Sequence, residues 1–293
     1  MVNLGGSITA LVTPFRDGSV DEDTFQQLVN RQIEAGARGL VPAGTTGESA
    51  TLSHDEHKRV IRLCVEAADG RAPVIAGAGS NATAESIELA AYAAEAGADA
   101  LLTVTGYYNK PSQAGLRAHF EALHEATSLP IILYNVPGRT VANLSVETLG
   151  ALARLDRVIG VKDATGDLAR VALQRRACGS DFIQLSGEDM TAVGFNAMGG
   201  AGCIGVTANV APALCAAMQA ACADGAYDRA VEIQDRLAPL HDVLFADTSP
   251  GPVKYALSLM GLCAPDLRLP LAPPGEAVQR RIRAVLEDLA LIG

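Results

Sequence analysis

The sequence predicts an α/β protein, a (β/α)8 TIM barrel carrying a C-terminal helical extension, on three observations. Short apolar runs recur eight times with starts about 28 residues apart, the length of one strand, one helix and their turns. Each run is continuous rather than alternating, as in strands covered on both faces of a parallel sheet. The segment Glu34-Ala35-Gly36-Ala37 returns as Glu95-Ala96-Gly97-Ala98, each time closing a helical pattern just before an apolar run. Eightfold repetition favours a closed barrel, although an open doubly wound sheet gives similar alternation.

The apolar runs occupy residues 8–12, 39–42, 73–76, 100–104, 130–134, 158–161, 182–185 and 203–206. In the first helical pattern Phe25, Leu28, Val29, Gln32 and Ile33 share one face at the 3.6-residue period, with Asp21 suited to start it and Gly36 to stop it. The next opens with Ser53 followed by Glu56, a capping box in which each side chain satisfies an orphan amide of the first turn. Past Val210 only helical patterns remain, over residues 227–245, 252–260 and 276–291. Residues 1–224 are therefore assigned to a barrel carrying the active site, and 225–293 to an extension packed on it without a linker.

Composition narrows the function classes. A chain of 293 residues, 49% apolar and 19% charged, supports a large core and excludes disorder. The balance of 33 acidic against 23 basic residues, with a net charge of -10, lacks the positive field that nucleic acids require. The uncharged stretch from Met190 to Ala223 is broken by glycines, Asn196, Asn209, Pro212 and Gln219, which disfavours a membrane span. The cysteines at 64, 178, 203, 215, 222 and 263 are widely spaced and read as reduced core residues. With no leader pattern over Met1 to Leu11, a cytoplasmic location is expected.

If the barrel reading holds, chemistry belongs where strands end. Of four lysines, Lys58, Lys110 and Lys254 fall in helical or polar contexts, whereas Lys162 ends the apolar run Val158-Ile159-Gly160-Val161. Burial there disfavours the charged form, and a neutral amine attacks ketones and aldehydes to form a Schiff base. The alternative is a lysine paired with Asp163 or another carboxylate, or one reaching the surface. Tyr134 ends the preceding run and brings a phenol to the same face, suited to moving a proton. Gly44-Thr45-Thr46-Gly47-Glu48 offers converging amides and two hydroxyls for a small carboxylate. Arg139 follows Tyr134 in a loop, and its planar fork suits a second carboxylate. Tyr107 and Tyr108 sit in a loop with Gly106 and Asn109, an arrangement that suggests a lid or a subunit contact.

Taken together, Gly44-Thr45-Thr46-Gly47-Glu48, Tyr107-Tyr108-Asn109-Lys110-Pro111, Tyr134-Asn135-Val136-Pro137-Gly138-Arg139-Thr140 and Gly160-Val161-Lys162-Asp163 resemble the dihydrodipicolinate synthases, also called 4-hydroxy-tetrahydrodipicolinate synthases. The likeness covers nearly the whole chain, including Ala76-Gly77-Ala78-Gly79-Ser80-Asn81, Ser186-Gly187-Glu188-Asp189 and Val206-Thr207-Ala208-Asn209. The lysine and tyrosine signals are shared with the wider pyruvate-lyase superfamily, including N-acetylneuraminate lyase; Arg139 points to the synthases within it.

The resemblance implies a lyase of the class I aldolase type that condenses pyruvate with L-aspartate 4-semialdehyde on the route to diaminopimelate and lysine. It implies Lys162 as the Schiff-base residue, and Tyr134, Thr45 and Tyr108 as a proton relay, with Tyr108 reaching a neighbouring subunit's site. Thr45 and Thr46 would hold the pyruvate carboxylate and Arg139 that of the semialdehyde, with Gly187 and Ile204 lining the pyruvate pocket. No metal or organic cofactor is implied, and the assembly would be a homotetramer built as a dimer of dimers. Ser49, Ala50, His54, His57, Asn81, Glu85 and Tyr107 match an inhibitory L-lysine site at the dimer interface. His54 and His57 also form a conceivable but incomplete metal pair.

Three departures from the family pattern are expected to matter little to the catalytic groups: Gly106 before the tyrosine pair, Gly205 after Ile204, and the variant segment Thr248-Ser249-Pro250-Gly251-Pro252-Val253-Lys254. The first would loosen the loop that carries Tyr108. The main rival is another pyruvate-dependent aldolase acting on a different 2-keto acid. A silent acid-binding barrel sits poorly with both Lys162 and Tyr134 being present. A phosphate site at Gly199-Gly200-Ala201-Gly202 competes with a packing role for those glycines.

Overall fold

In the computed structural model, residues 4–293 are described, so the part of the N-terminal reading that falls on residues 1–3 lies outside them. Ten strands follow in chain order: β1 (Gly6–Ala10), β2 (Phe15–Arg16), β3 (Ser19–Val20), β4 (Gly39–Val41), β5 (Ile75–Gly77), β6 (Ala100–Val104), β7 (Ile131–Asn135), β8 (Val158–Asp163), β9 (Ile183–Ser186) and β10 (Gly202–Gly205). Twelve α-helices run between and after them: α1 (Glu22–Glu34), α2 (His54–Ala68), α3 (Thr83–Ala96), α4 (Gln113–Ala126), α5 (Pro137–Thr140), α6 (Val146–Leu152), α7 (Ala169–Cys178), α8 (Ala192–Ala197), α9 (Pro212–Ala223), α10 (Tyr227–Leu244), α11 (Gly251–Leu259) and α12 (Glu276–Asp288).

The eight long-expected strands are parallel and ordered β4-β1-β10-β9-β8-β7-β6-β5. A parallel bridge between Leu40 and Val74 joins the two ends of that order. An open doubly wound sheet would leave its end strands apart; here the sheet curls into a barrel.

Side chains sort by strand period. Ile8, Val41, Ile75, Leu102, Ile132, Tyr134, Leu185 and Ile204, all on barrel strands, form one cluster, the filled interior. Their neighbours Leu40, Leu101, Ile131, Leu133 and Val161 face outward against Phe25, Val29, Ile61 and Phe120 of the helices. A third cluster joins Val12, Leu28 and Cys203 to Leu237, Leu240, Val253, Leu257, Ile282 and Leu286, so the helices after residue 224 share a core with the barrel.

Local chemistry explains the boundaries. Asp21 caps α1, and Ser53 with Glu56 forms both halves of the box that starts α2. The first strand ends at Ala10 rather than residue 12, because the Val12 amide leaves the ladder to donate to Asn209 Oδ1 at 3.2 Å. The third apolar run enters the sheet as β5 only at Ile75, past Pro73, which has no N–H to give. The two-residue strands β2 and β3 form a hairpin whose turn, Asp17-Gly18, has both φ values positive, at 52° and 80°. The glycines near residue 200 are packing sites: a Cβ at Gly200 would lie 2.3 Å from Phe195, and one at Gly202 would lie 2.3 Å from the Gly6 carbonyl oxygen.

Candidate active site

Register decides which way the end of β8 faces. Lys162 pairs with Tyr134 on β7 and with Leu185 on β9, both interior residues, so its side chain enters the barrel. Asp163, one residue on, faces the helices, where its carboxylate accepts from Arg170 Nε at 2.9 Å, Gln174 Nε2 at 2.5 Å and the Thr165 hydroxyl at 2.6 Å. The competing reading, a Lys162–Asp163 pair, therefore fails. Lys162 is 5% exposed, its Nζ stands 4.3 Å from the centroid of the Tyr134 ring, and no ion pair or hydrogen bond occupies that nitrogen among the described residues. An amine with no ion-pair partner against a phenol ring, at the mouth of a barrel filled with apolar side chains, is an arrangement suited to imine chemistry.

The surroundings are built to keep that amine in place. A Cβ at Gly187 would sit 3.0 Å from Lys162 Cε and 2.7 Å from Ala164 Cβ, so only glycine leaves the stem room. Ile204 is fully buried beside it in the interior cluster. At Gly205 an added Cβ would fall 2.3 Å from Asp189 Oδ1; that carboxylate accepts from the Val206 amide at 2.8 Å, which gives this departure a packing reason. Burial, reinforced by Asp189, pushes the neighbouring Glu188 carboxyl above its usual range.

Above the strand ends opens a cavity of about 500 Å³ lined by Thr45, Glu48, Ser49, Ala50, His54, His57, Glu85, Tyr107, Val136, Arg139 and Thr140 among others. Thr45 is exposed to it and Thr46 is buried. Arg139 stands exposed on the short helix α5, free of any ion pair among the described residues. That helix is anchored by the Thr140 hydroxyl, which donates to the Val136 and Ala142 carbonyls at 3.1 and 2.9 Å. Asn135 fixes the same loop from β7, accepting from the Leu144 amide at 2.9 Å.

Of the second group of expected residues, Ser49, Ala50, His54, His57, Glu85 and Tyr107 line this cavity, and Asn81 does not. Glu85 pairs with His54 Nε2 at 2.8 Å and accepts from the Ser80 hydroxyl, so it is already engaged. His57 is buried and its Nε2 bonds the Gly77 carbonyl at 2.6 Å; burial pushes its pKa down against the opposing pull of that carbonyl. With one histidine on a carboxylate and the other on a backbone oxygen, the pair makes no metal site, and no group of three or more metal-ligating side chains occurs among the described residues. Asn81 offers its carbonyl to Asn109 Nδ2 at 2.9 Å, which ties down the loop that Gly106 was expected to loosen. Tyr108 on that loop is 89% exposed with φ at 70°.

The model of the dihydrodipicolinate synthetase family matches residues 3–289. The chain belongs to that family. A dihydrodipicolinate synthetase relative from Parvibaculum lavamentivorans, named 4-hydroxy-tetrahydrodipicolinate synthase, is 61% identical over 98% of this chain and 99% of its own length. The crystal structure of the chloride-inhibited family member from Acinetobacter baumannii, complexed with pyruvate, is 44% identical over 98% of this chain and 99% of its own, with a TM-score of 0.96. That of the member from Cyanidioschyzon merolae with lysine bound is 37% identical over 98% and 99%, with a TM-score of 0.95.

One group of the synthetase chain escaped the sequence reading. Lys254, read from sequence only as one of the lysines in helical or polar contexts, is fully buried on α11 and forms an ion pair with Glu48 at 2.5 Å in which both side chains are wholly enclosed. Burial lowers the Lys254 pKa, with Glu48 pulling the other way. Nothing local announces the pair, since its members stand more than two hundred residues apart. The hint available was Glu48 itself, a carboxylate inside an otherwise small, neutral turn.

Proposed function

We propose that this chain is a 4-hydroxy-tetrahydrodipicolinate synthase, a Schiff-base lyase that condenses pyruvate with L-aspartate 4-semialdehyde in diaminopimelate and lysine synthesis. The observation that carries the reading is the Lys162 amine, buried against the Tyr134 ring with the nearby Asp163 carboxylate bound elsewhere. Lys162 Nζ attacks the pyruvate ketone carbon, and water leaves to give an imine. A proton lost from the methyl group makes the enamine, whose carbon attacks the aldehyde and turns its oxygen into the 4-hydroxyl. The amine of the second substrate then closes on the imine carbon, and Lys162 departs as the free amine. The imine itself is the electron sink.

Tyr134 and Thr45 move protons in these steps, joined by Tyr108 from a neighbouring subunit; this accords with a side chain 89% exposed and held in a strained backbone conformation. The amides of Thr45 and Thr46 hold the pyruvate carboxylate, Gly187 and Ile204 shape its pocket, and the unpaired Arg139 takes the carboxylate of the semialdehyde. The pyruvate complex of the Acinetobacter relative supports the first substrate. Trapping with borohydride tests the reading: a reduced adduct on Lys162 that depends on pyruvate is expected, and its absence would overturn the mechanism. Turnover of N-acetylneuraminate or simple 2-keto-3-deoxy acids in preference to the semialdehyde would instead favour the sister aldolase.

A regulatory role for the second group of residues is the second part of the proposal, favoured by the lysine-bound relative. Ser49, Ala50, His54, His57, Asn81, Glu85 and Tyr107 take L-lysine, with Glu85 meeting an ammonium after leaving His54. Turnover unchanged at millimolar L-lysine would remove this part. We further infer a homotetramer that completes the Tyr108 relay, a barrel unit over residues 1–224 with 225–293 appended, and a cytoplasmic location. Six free thiols accord with that reducing compartment.

A further inference from the structure

The turn after β4 is held at both ends. Thr13 donates its hydroxyl to the Gly47 carbonyl at 2.8 Å, and the Gly47 and Glu48 amides close back on the Gly44 and Thr45 carbonyls at 3.1 Å each. Glu48 adopts φ of 57°, a left-handed conformation that a non-glycine residue keeps only when its surroundings enforce it. Both carboxylate oxygens are engaged by the C-terminal extension. Oε1 accepts from Lys254 Nζ at 2.5 Å, and Oε2 from the Arg268 backbone amide at 3.1 Å. Lys254 Nζ also donates to the Asp266 carbonyl at 2.7 Å and lies 4.0 Å from the Phe15 ring centroid. Arg268 reaches back to the same region, donating to the Thr51 carbonyl at 3.1 Å and to the Glu56 carboxylate.

A buried ion pair is a poor means of gaining stability, because desolvating two charges offsets most of their attraction, and a packed apolar pair serves as well. What the pair fixes is direction: two charged atoms and a backbone amide allow one placement of the Glu48 side chain, and so of the turn from which it grows. We propose that Glu48 and Lys254 are positioning residues for the keto acid, the C-terminal extension clamping the Thr45-Thr46 turn in the orientation that receives the pyruvate carboxylate. The inference rests on the reading that this turn holds that carboxylate. It makes Lys254, on the C-terminal extension, part of the active site through Glu48 rather than through contact with substrate.

The full-length enzyme tests it through its two Michaelis constants. In Lys254→Met the KM for pyruvate rises about tenfold while the KM for the semialdehyde stays within about twofold. Arg268→Gln, made on a side chain that keeps 21% of its exposure, loosens the clamp and leaves the buried pair intact; a rise of about threefold, again for pyruvate alone, is expected. The second variant decides the matter alone if the first is insoluble. A merely structural role lowers melting temperature and active fraction but leaves KM untouched. Pyruvate KM values within about twofold of the parent, or an equal rise for both substrates, overturn the proposal. A parent enzyme that fails borohydride trapping at Lys162 removes the underlying reading instead, and this inference with it.

Discussion

Lys162 and Lys254 are both buried, and they differ in what faces the side-chain nitrogen. At the end of β8 the nearest feature is an aromatic ring 4.3 Å away, and the adjacent carboxylate, Asp163, is turned to the opposite face of the sheet. On α11 the nitrogen meets a carboxylate at 2.5 Å, a carbonyl at 2.7 Å and an aromatic ring. Burial alone therefore does not mark a reactive lysine. The partner set does: a fully engaged nitrogen holds structure together, and an unengaged one is left for a ligand.

Substitutions at the two places sharpen this contrast. Lys162→Ala should lower kcat/KM by about 10⁴-fold or more, abolish trapping and leave the melting temperature unchanged or raised, since no bond is lost. A clear loss of stability would place Lys162 with Lys254 and break the distinction. Next in size, Tyr134→Phe keeps the ring beside Nζ but removes the hydroxyl. It should reduce kcat by about 10²- to 10³-fold while pyruvate-dependent trapping persists at a slower rate. Arg139→Ala acts on the second substrate only, raising the semialdehyde KM by about 10- to 100-fold with pyruvate KM unaltered; steady-state kinetics at saturating pyruvate check it.

The smallest effect belongs to the clamp side and reads out against pH. Arg268 holds the Glu56 carboxyl down from 4.5 to about 2, with the Ser53 amide adding to it against burial. A carboxyl depressed on folding contributes stability that is full above its unfolded pKa and disappears as pH falls through its folded one. Stability from this pair should thus fade between pH 4.5 and about 2. Glu56→Gln should flatten that part of the acid-unfolding curve, followed by circular dichroism.

Much of the barrel is legible from sequence because strands covered on both faces cannot hide their apolar character, and Lys162 stands out as the charge that ends such a run. Direction is not legible. Whether Lys162 or Asp163 enters the barrel depends on register, which carries an irregularity at Ile131/Ile132 of the neighbouring strand. Lys254 was invisible for another reason: in a helix its neighbours in sequence say little about depth, and its partner lies in the turn after β4, more than two hundred residues away. The hairpin of β2 and β3 is too short for any periodicity to show.

The barrel is also uneven around its circumference. Most neighbouring strands share a ladder, but β4 and β5 meet through the Leu40–Val74 bridge and two hydrogen bonds, in which the Leu40 amide donates to the Pro73 carbonyl and the Gly77 amide to the Pro42 carbonyl. Local fluctuations start where the fewest contacts must break together, so this seam is where the wall breathes first. Its amides should trade deuterium ahead of those between β7 and β8. The loop bearing Thr45 and the Gly77 carbonyl that holds His57 both ride on the seam, so a ligand seated on either one would slow the exchange beneath the other.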